Sequence, residues 1–165
     1  MHFIRRNALS SFPSKAMVGK CMLDDMDKQI VGILAGNARI SLKELAAQVN
    51  LSSPSASERL RRLEERGVIR AFTVELDPQA LGFALQAIVR IRPRPGQFHQ
   101  VQQMVVEIPQ ICECDKITGD DCLFARLYVR SIDELDEIID RIAEKAETNT
   151  VIVKSQPLKR RPPPV

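Results

Sequence analysis

The stretch SLKELAAQVNLSSPSASERLRRLEERG, residues 41–67, decides the fold of the first half of the chain. Ser41 and Glu44 have the S-x-x-E spacing of a capping box, which predicts a short helix beginning after Ser41. Ser52 is placed to cap a second helix, and Gly67 is placed to end it. The stretch therefore predicts two helices joined by a turn of about three residues.

Two further residues support this prediction, and a third helix precedes the pair. Asn50 suits the turn because asparagine tolerates a positive φ better than most residues. Pro54 fits the first turn of the second helix, where a missing N–H costs little. Asp24 can cap the preceding helix, which is predicted to end near Gly36. Its apolar stripe comprises Met26, Ile30, Ile33 and Leu34. Three helices of this kind predict a helix-turn-helix, whose last helix enters the major groove of DNA.

The polar side of the last helix is the predicted DNA-contacting surface. Ala56, Leu60 and Leu63 recur at helical spacing and predict the buried side. Small hydroxyls near the helix start allow a close approach to the bases, and arginines can reach guanine edges or phosphates. We expect DNA contacts from Arg39, Lys43, Ser53, Ser55, Ser57, Glu58, Arg59, Arg61 and Arg62. The alternative is a solvated helix face whose arginines pair partly with Glu58, Glu64 and Glu65.

The distribution of charge supports a nucleic-acid partner for this part of the chain. The whole sequence of 165 residues has a formal net charge of +3. Residues 1–22 carry +4 and residues 157–165 carry +3, whereas residues 78–156 carry −3. Residues 23–77 are nearly neutral, yet residues 39–70 within them hold seven bases against four acids. Such a basic stretch is suited to binding phosphate groups.

The composition excludes several classes of protein. With 44% hydrophobic residues, the chain can build cores and is not a disordered tail. No apolar run approaches the ~20 residues of a membrane-spanning helix. The four cysteines are too few and too uneven for a disulfide scaffold, and no signal-peptide core is visible, so we expect a cytoplasmic protein.

After Gly67 the hydrophobic periodicity changes to two. Residues 68–76 are predicted as a strand, and the following residues as the connection to a second domain. Six further elements follow in the order βαββαβ. Their predicted ranges are strand 85–92, helix 96–107, strands 111–117 and 122–130, helix 132–147 and strand 150–155. This order predicts a ferredoxin-like unit with one antiparallel sheet and both helices on one face.

One face of the predicted sheet is covered by the helices, and the other has no cover. Alternation assigns to the covered face Leu85, Ala87, Val89, Ile91, Leu123, Ala125, Leu127, Val129, Val151 and Val153. The opposite positions mix the apolar Ile88, Phe124, Tyr128 and Ile152 with Arg90, Arg126 and Lys154. No element of the chain is left to cover that face, so we expect a homodimer whose sheets pack face to face.

Motifs throughout residues 23–157 carry a resemblance to a known family. They include Leu23-Asp24-x-x-Asp27, Arg39-Ile40-Ser41, Arg59-Leu60-Arg61-Arg62-Leu63-Glu64, Gly67-Val68-Ile69, Leu76-Asp77-Pro78 and Thr118-Gly119-Asp120. With these spacings the sequence resembles the leucine-responsive regulatory protein/AsnC (feast/famine) family of transcriptional regulators. The resemblance implies an α+β protein with a winged or simple helix-turn-helix, a linking strand and a ferredoxin-like sensing domain that dimerises into an α/β barrel. It also implies larger assemblies, and small effectors, usually amino acids, that bind between dimers near the Gly-Asp loop. We expect no cofactor.

The loop from Thr118 to Cys122 is the candidate effector site. A hairpin with a glycine can present N–H groups to a carboxylate, while a carboxylate in the loop accepts from an ammonium group. We expect effector contacts from Thr118, Gly119, Asp120, Asp121 and Cys122. Cys122 departs from the second carboxylate that the family often has there. The alternative is a hairpin whose glycine and aspartates only form the turn.

Cysteines and histidines give weaker signals. Cys112, Cys114 and Cys122 are predicted on neighbouring strands, which suggests a metal site or a thiol switch. No histidine is placed to complete a zinc site, and buried packing is the favoured interpretation of the cysteines. His99 misses the buried stripe of its helix and is expected in solvent.

The expected organisation is an extension at 1–22, a DNA-binding domain at 23–67, a linking strand and linker at 68–82, a sensing and dimerisation domain at 83–156, and a Pro-rich basic tail at 157–165. We interpret the extension as mobile, the alternative being an arm that docks on the body. The tail is interpreted as solvated, the alternative being an added attraction to phosphates.

The predicted function is a sequence-specific, DNA-binding transcriptional regulator modulated by a small effector. Its predicted partners are double-stranded DNA, the effector and further copies of itself. One alternative is a tetrapyrrole-modifying decarboxylase of the same architecture. The sequence shows no catalytic nucleophile paired with a general base, which argues against this alternative. The other is a ligand sensor that has lost DNA binding, against which stand the intact arginines of the predicted recognition helix.

Overall fold

The computed structural model describes residues 23–119 and 122–164. It divides into two compact units, one comprising the residues up to Thr73 together with those from Arg161 onward, and the other spanning Val74–Arg160. The division falls inside the linker predicted at 68–82. The extension predicted at 1–22 lies outside the described residues. Among the described helices, none is long and apolar enough to cross a membrane.

The first unit contains the three predicted helices: α1 is Asp25–Gly36, α2 is Leu42–Gln48 and α3 is Ser53–Glu65. Each begins where a cap was predicted. The side chains of Asp24, Ser41 and Ser52 accept hydrogen bonds from backbone N–H groups of the first turns, and Ser41 and Glu44 form the full capping box. Ile30, Leu45, Val49 and Leu63 pack together as the core. Leu42, in the first turn of α2, is exposed.

The turn between α2 and α3 has the predicted backbone. Asn50 has a φ of 53°, and the N–H of Leu51 donates to the carbonyl of Ala46 at 2.9 Å. Gly67 has a φ of 70°, in the left-handed region that favours glycine after a helix. These two residues fix where α3 starts and where it ends.

The second unit has the predicted βαββαβ order. Its elements are β1 Leu85–Pro93, α4 Phe98–Glu107, β2 Ile111–Lys116, β3 Leu123–Val129, α5 Ile132–Ala143 and β4 Ala146–Ile152. The strands are antiparallel in the order β2-β3-β1-β4. Alternate residues of β1 and β3 pack with Val101, Val105, Leu135, Ile138 and Ile142 of the two helices. The α+β fold class is thereby confirmed.

The last helix and strand differ from prediction in position. The helix ends four residues earlier than the predicted residue 147, and the strand begins four residues before residue 150. Arg94 explains the early end: its guanidinium donates to the carbonyls of Ala143 and Glu144, and its N–H donates to the carbonyl of Lys145 at 2.9 Å. Satisfying these last carbonyls lets the chain leave the helix and enter the sheet.

The faces of β4 are the reverse of those predicted. Thr150 lies opposite Val89 and Ile152 opposite Ala87, so both share the helix-covered face, while Val151 lies opposite Ile88 on the other. The prediction that Val151 is covered and Ile152 is not was wrong, because threonines at 148 and 150 take inward positions that hydrophobic alternation assigns to valine.

The strand predicted at 68–76 is also absent: residues 70–77 are assigned to neither helix nor strand. A strand needs a hydrogen-bonded neighbour, and among the described residues no strand pairs with this segment. Its alternating residues Phe72, Val74 and Leu76 are all exposed.

Candidate nucleic-acid interface and ligand domain

The packing of α3 decides which of its side chains reach solvent. Ala56 and Leu63 are completely buried and Leu60 is half-buried, as predicted. Pro54, Arg61, Arg62 and Glu65 therefore lie on the opposite, exposed side. This exposed side carries no large apolar residue along the length of α3, as expected of a helix that approaches a nucleic acid.

Small hydroxyl residues occupy the start of α3. The Ser55 hydroxyl shares a hydrogen bond of 2.9 Å with the capping hydroxyl of Ser52, so it is engaged in the cap. Ser57 is exposed and Ser53 half-buried. Arg39 and Lys43, at the start of α2, are exposed as well, and the backbone N–H of Arg39 donates to Asn37 Oδ1 at 3.0 Å. The predicted contact residues of α2 and the start of α3 thus remain accessible.

The exposed arginines of α3 pair with glutamates of the same helix. Arg61 donates to Glu58 at 2.8 Å and also to Glu65, and the Arg62 Nε donates to Glu58 at 2.9 Å. The hydrogen bonds from Arg61 and Arg62 lower the pKa of Glu58 from 4.5 to about 2, and the bond to Glu58 raises the pKa of Arg61. The predicted alternative of partial pairing is thus present for Glu58 and Glu65. Pairs of this kind, exposed and local, are weak enough to be exchanged for phosphates.

Arg59 has a different environment from the one expected of a DNA contact. Its Nη1 lies 2.7 Å from Asp24 Oδ2 and 2.7 Å from Asp27 Oδ1, both at the start of α1. Asp27 is buried, with 7% exposure, and its second oxygen lies 3.5 Å from Arg66 Nη1. The backbone N–H of Asp27, followed by Arg59, lowers the pKa of Asp24. Sequence reasoning missed this contact, although the Asp24-x-x-Asp27 spacing and the position of Arg59 on the flank of α3 were the available signals.

The candidate effector loop joins β2 to β3. The N–H of Ile117 donates to the carbonyl of Cys122 at 3.0 Å, which closes the hairpin, and Gly119 has a φ of 111°. Thr118 and Gly119 are exposed, and Cys122 packs against the core. Asp120 and Asp121 lie outside the described residues. The glycine therefore serves the turn, and its neighbours at the loop start are open to solvent.

The cysteines differ from the expected packing role. Cys122 is half-buried and packs against the core, but Cys112 and Cys114, on the edge strand β2, are exposed. Burial, with a contribution from the adjacent acid, raises the pKa of both the Cys112 and the Cys114 thiol. No group of three or more metal-binding side chains occurs within 23–119 and 122–164. His99 is exposed, as predicted.

The sheet face opposite the helices carries large side chains. Ile88, Phe124 and Tyr128 are half-buried on it, and Val151 is 51% exposed. Among them, Arg126 Nε lies 3.3 Å from Glu113 Oε2. The described residues provide no helix on this side, so the face is a mixed apolar and polar surface of the single chain.

Comparison with known proteins matches both units. Residues 23–70 match the winged helix-turn-helix DNA-binding family model, and residues 86–163 match the Lrp/AsnC ligand binding domain. The HTH-type transcriptional regulator FL11 of Pyrococcus furiosus is 33% identical over 135 residues, which cover 80% of this chain and 89% of that protein. The HTH-type transcriptional regulator LrpC of Bacillus subtilis is 29% identical, with coverages of 81% and 93%.

Solved structures agree with these relatives. Bacillus subtilis LrpC superposes with a TM-score of 0.80 at 28% identity, over 84% of this chain and 99% of that one. A feast or famine regulatory protein from M. tuberculosis, complexed with L-methionine, superposes with a TM-score of 0.80 at 29% identity, over 87% of this chain and all of that one. The chain therefore belongs to the Lrp/AsnC family of transcriptional regulators, with a helix-turn-helix domain that binds DNA and a ligand-binding domain.

Proposed function

We propose that α3 is the recognition helix of a homodimeric regulator and enters the major groove of a two-fold symmetric operator. The observation that carries the proposal is the exposed side of α3, where serines at the start are followed by two accessible arginines. This order matches a recognition helix, whose N-terminal residues approach the bases.

The exposed residues suggest different roles at the DNA. Arg61 and Arg62 carry guanidinium groups suited to guanine edges or phosphates, and Glu58 can accept from the amino group of cytosine. Ser53, Ser55 and Ser57 are small enough to let α3 come close to the groove floor. The remaining two, Arg39 in the turn before α2 and Lys43 in its first turn, are suited to phosphates of the flanking backbone. Arg59 does not belong to this set, because its guanidinium is held by α1.

The test of this proposal is selection of binding sites from a pool of random duplexes, followed by footprinting. A two-fold dimer should protect two half-sites whose centres lie about 34 Å apart, one turn of DNA, or a multiple of that distance. A single unrepeated site, or recovery of no preferred sequence, would contradict the proposal.

The second part of the proposal is a small effector, with an L-amino acid as the first candidate, bound at the loop 118–122. Support comes from the match to a ligand-binding domain, from the L-methionine complex of the M. tuberculosis relative, and from the exposed start of the loop. In this loop we propose that Gly119 and Thr118 present donors to the carboxylate, while Asp120 or Asp121 accepts from the ammonium group and Cys122 contributes the loop end.

We predict that at least one L-amino acid, with L-methionine tested first, raises the melting temperature. A ligand at a hundred times its Kd should add ~2.7 kcal/mol to the free energy of unfolding. The paired control is the D-enantiomer, because it cannot place its ammonium, carboxylate and side chain on the same partners. In the Asp120→Asn/Asp121→Asn variant the shift should shrink. If none of the twenty amino acids shifts the melting temperature, this part of the proposal is wrong.

Any effect on DNA binding must be reciprocal. If the effector weakens operator binding tenfold, the operator weakens effector binding tenfold as well.

We further propose that the protein acts in the cytoplasm, with DNA as its target, and that it is not an enzyme. The relatives support this because they are named as transcriptional regulators.

A further inference from the structure

We infer that Arg59 is a positioning residue that does not contact DNA. Its guanidinium group donates hydrogen bonds to Asp24 and Asp27 and thereby fixes the recognition helix α3 against α1. The inference rests on the proposed reading of DNA by α3. It changes the role of one residue within that helix and adds two carboxylates of α1 to the groups that decide how well the operator is bound.

Asp24, Asp27 and Arg59 meet at the start of α1. Asp24 uses Oδ1 to cap α1, accepting from the N–H of Asp27 at 2.7 Å, and uses Oδ2 to accept from Arg59 at 2.7 Å. Asp27 accepts from the same Arg59 nitrogen at 2.7 Å. The cap of one helix and the side chain of another are therefore joined in a single hydrogen-bonded group.

A second arginine, Arg66, also contacts Asp27. Arg59 and Arg66 are seven residues apart, which is about two turns, so both lie on the side of α3 that faces α1. The two oxygens of Asp27 take one arginine each, at 2.7 Å and 3.5 Å. Attachment at points two turns apart resists rotation of α3 about its own axis. That rotation decides which side chains point to the bases.

The acid that both arginines contact, Asp27, is buried. The side chains of Asp27 and Arg59 are 9% and 33% exposed. Removing one partner of a buried ion pair is strongly unfavourable, because it leaves a charge without compensation. Arg59 would have to leave Asp27 to reach a phosphate, whereas Arg61 and Arg62 only have to leave exposed glutamates. The structure thus divides four arginines into two that contact Asp27 of α1, namely Arg59 and the C-cap residue Arg66, and two that face outward from α3, Arg61 and Arg62.

The test is Asp27→Asn, with Asp25→Asn as the matched control. Both residues lie in the first turn of α1, and each substitution removes one negative charge near the proposed DNA surface. Asp25 is almost fully exposed and pairs with Lys28 at 3.3 Å. Electrostatics alone predicts that both variants bind DNA more tightly than the wild type, because repulsion from phosphates falls. Weaker binding of the operator alone by Asp27→Asn therefore comes from lost geometry, whereas a loss of folded protein weakens binding to every DNA.

The measurement is the Kd for the selected operator and for a duplex of equal length and scrambled sequence, at one salt concentration and well below the melting temperature. We expect Asp27→Asn to weaken operator binding about tenfold, the order of one lost base contact, while scrambled DNA binds as well as or better than before. Asp25→Asn should keep the wild-type ratio of the two affinities.

Two results would overturn the inference. If Asp27→Asn binds the operator as tightly as Asp25→Asn does, Arg59 does not need its acids to position α3. If both affinities fall by the same factor, so that the ratio is unchanged, Asp27 supports folding only.

Hydrogen exchange of the α3 amides in the free protein separates this inference from the reading of DNA. Faster exchange of the α3 amides in Asp27→Asn than in Asp25→Asn, with the α2 amides unchanged, supports the positioning role of Arg59 even if the wild type prefers no sequence, in which case the proposed recognition role of α3 fails by itself. Equal exchange of the α3 amides in the two variants contradicts the positioning role of Arg59.

Discussion

Glu58 sits between the two arginines that we propose to meet DNA, and it holds them in the free protein. The bonds from Arg61 and Arg62 keep its carboxylate ionised down to low pH, with a pKa of about 2. On DNA, phosphates and base edges compete with this carboxylate for the same guanidinium groups. The exposed network therefore orients the arginines before binding at a small energetic cost.

The pKa of Glu58 leads to a prediction about acid stability. Its pKa is lowered in the folded state, so between pH 4.5 and about 2 the unfolded state binds more protons than the folded state. The contribution of Glu58 to stability is thus fully present above pH 4.5 and is lost as the pH falls toward 2. We expect Glu58→Gln to lower the melting temperature near neutral pH and to match the wild type near pH 2.

The control is Glu64→Gln on the same helix. Glu64 is exposed, and no ion pair with a cation of the described residues is seen for it. The melting temperature of the Glu64→Gln variant should follow that of the wild type across the whole pH range. A constant difference between Glu58→Gln and the wild type, from pH 7 to pH 2, would contradict the assigned ion pairs.

For individual residues, the sequence predicted which side of α3 is buried but not the role of each arginine. Ala56 and Leu63 follow a local rule, the helical period, and their burial was predicted from it. The partners of Arg59 lie at the start of α1, more than thirty residues earlier in the chain. Only the packed arrangement of α1 and α3 brings these charges together, so the division of the arginines needed the structure.

Among the elements, the sheet shows how far alternation alone can be taken. β1 and β3 alternate buried residues with less buried ones, and their covered faces were predicted correctly. In β4, Thr148 and Thr150 face inward while Val151 faces out. A shift of one residue reverses every side chain of a strand. The register was set by pairing with β1, which hydrophobicity does not reveal.

The open sheet face leads to a prediction about assembly. If this face packs against a second copy, a charge at Val151 should separate the two copies because it would be buried without a partner. We expect Val151→Asp to sediment as a monomer at micromolar concentration and the wild type as a dimer or larger. Val106→Asp, on the exposed side of α4, is the control and should keep the assembly of the wild type. A dimeric Val151→Asp, or a monomeric wild type, would contradict the proposed face.

Over the whole molecule, the two units differ in charge as well as in fold. The first contains the basic stretch at 39–70, and the second carries the net charge of −3 found at 78–156. A net value of +3 for the chain conceals this difference. The basic surface lies in the helix-turn-helix, and the acidic unit carries the ligand-binding fold. DNA binding and ligand binding are thus assigned to separate units of one chain.

The most direct test of this account is to measure how Arg62→Ala and Arg141→Ala bind the operator that the wild type selects. Both variants remove one exposed arginine, the first from α3 and the second from α5 of the ligand-binding unit. We predict that Arg62→Ala loses ~1 to 3 kcal/mol of operator affinity and tolerates other bases at one position, while Arg141→Ala keeps the wild-type sequence preference. If Arg62→Ala binds the same sequence as tightly and as selectively as Arg141→Ala, α3 does not read the operator through Arg62 and the central claim is contradicted.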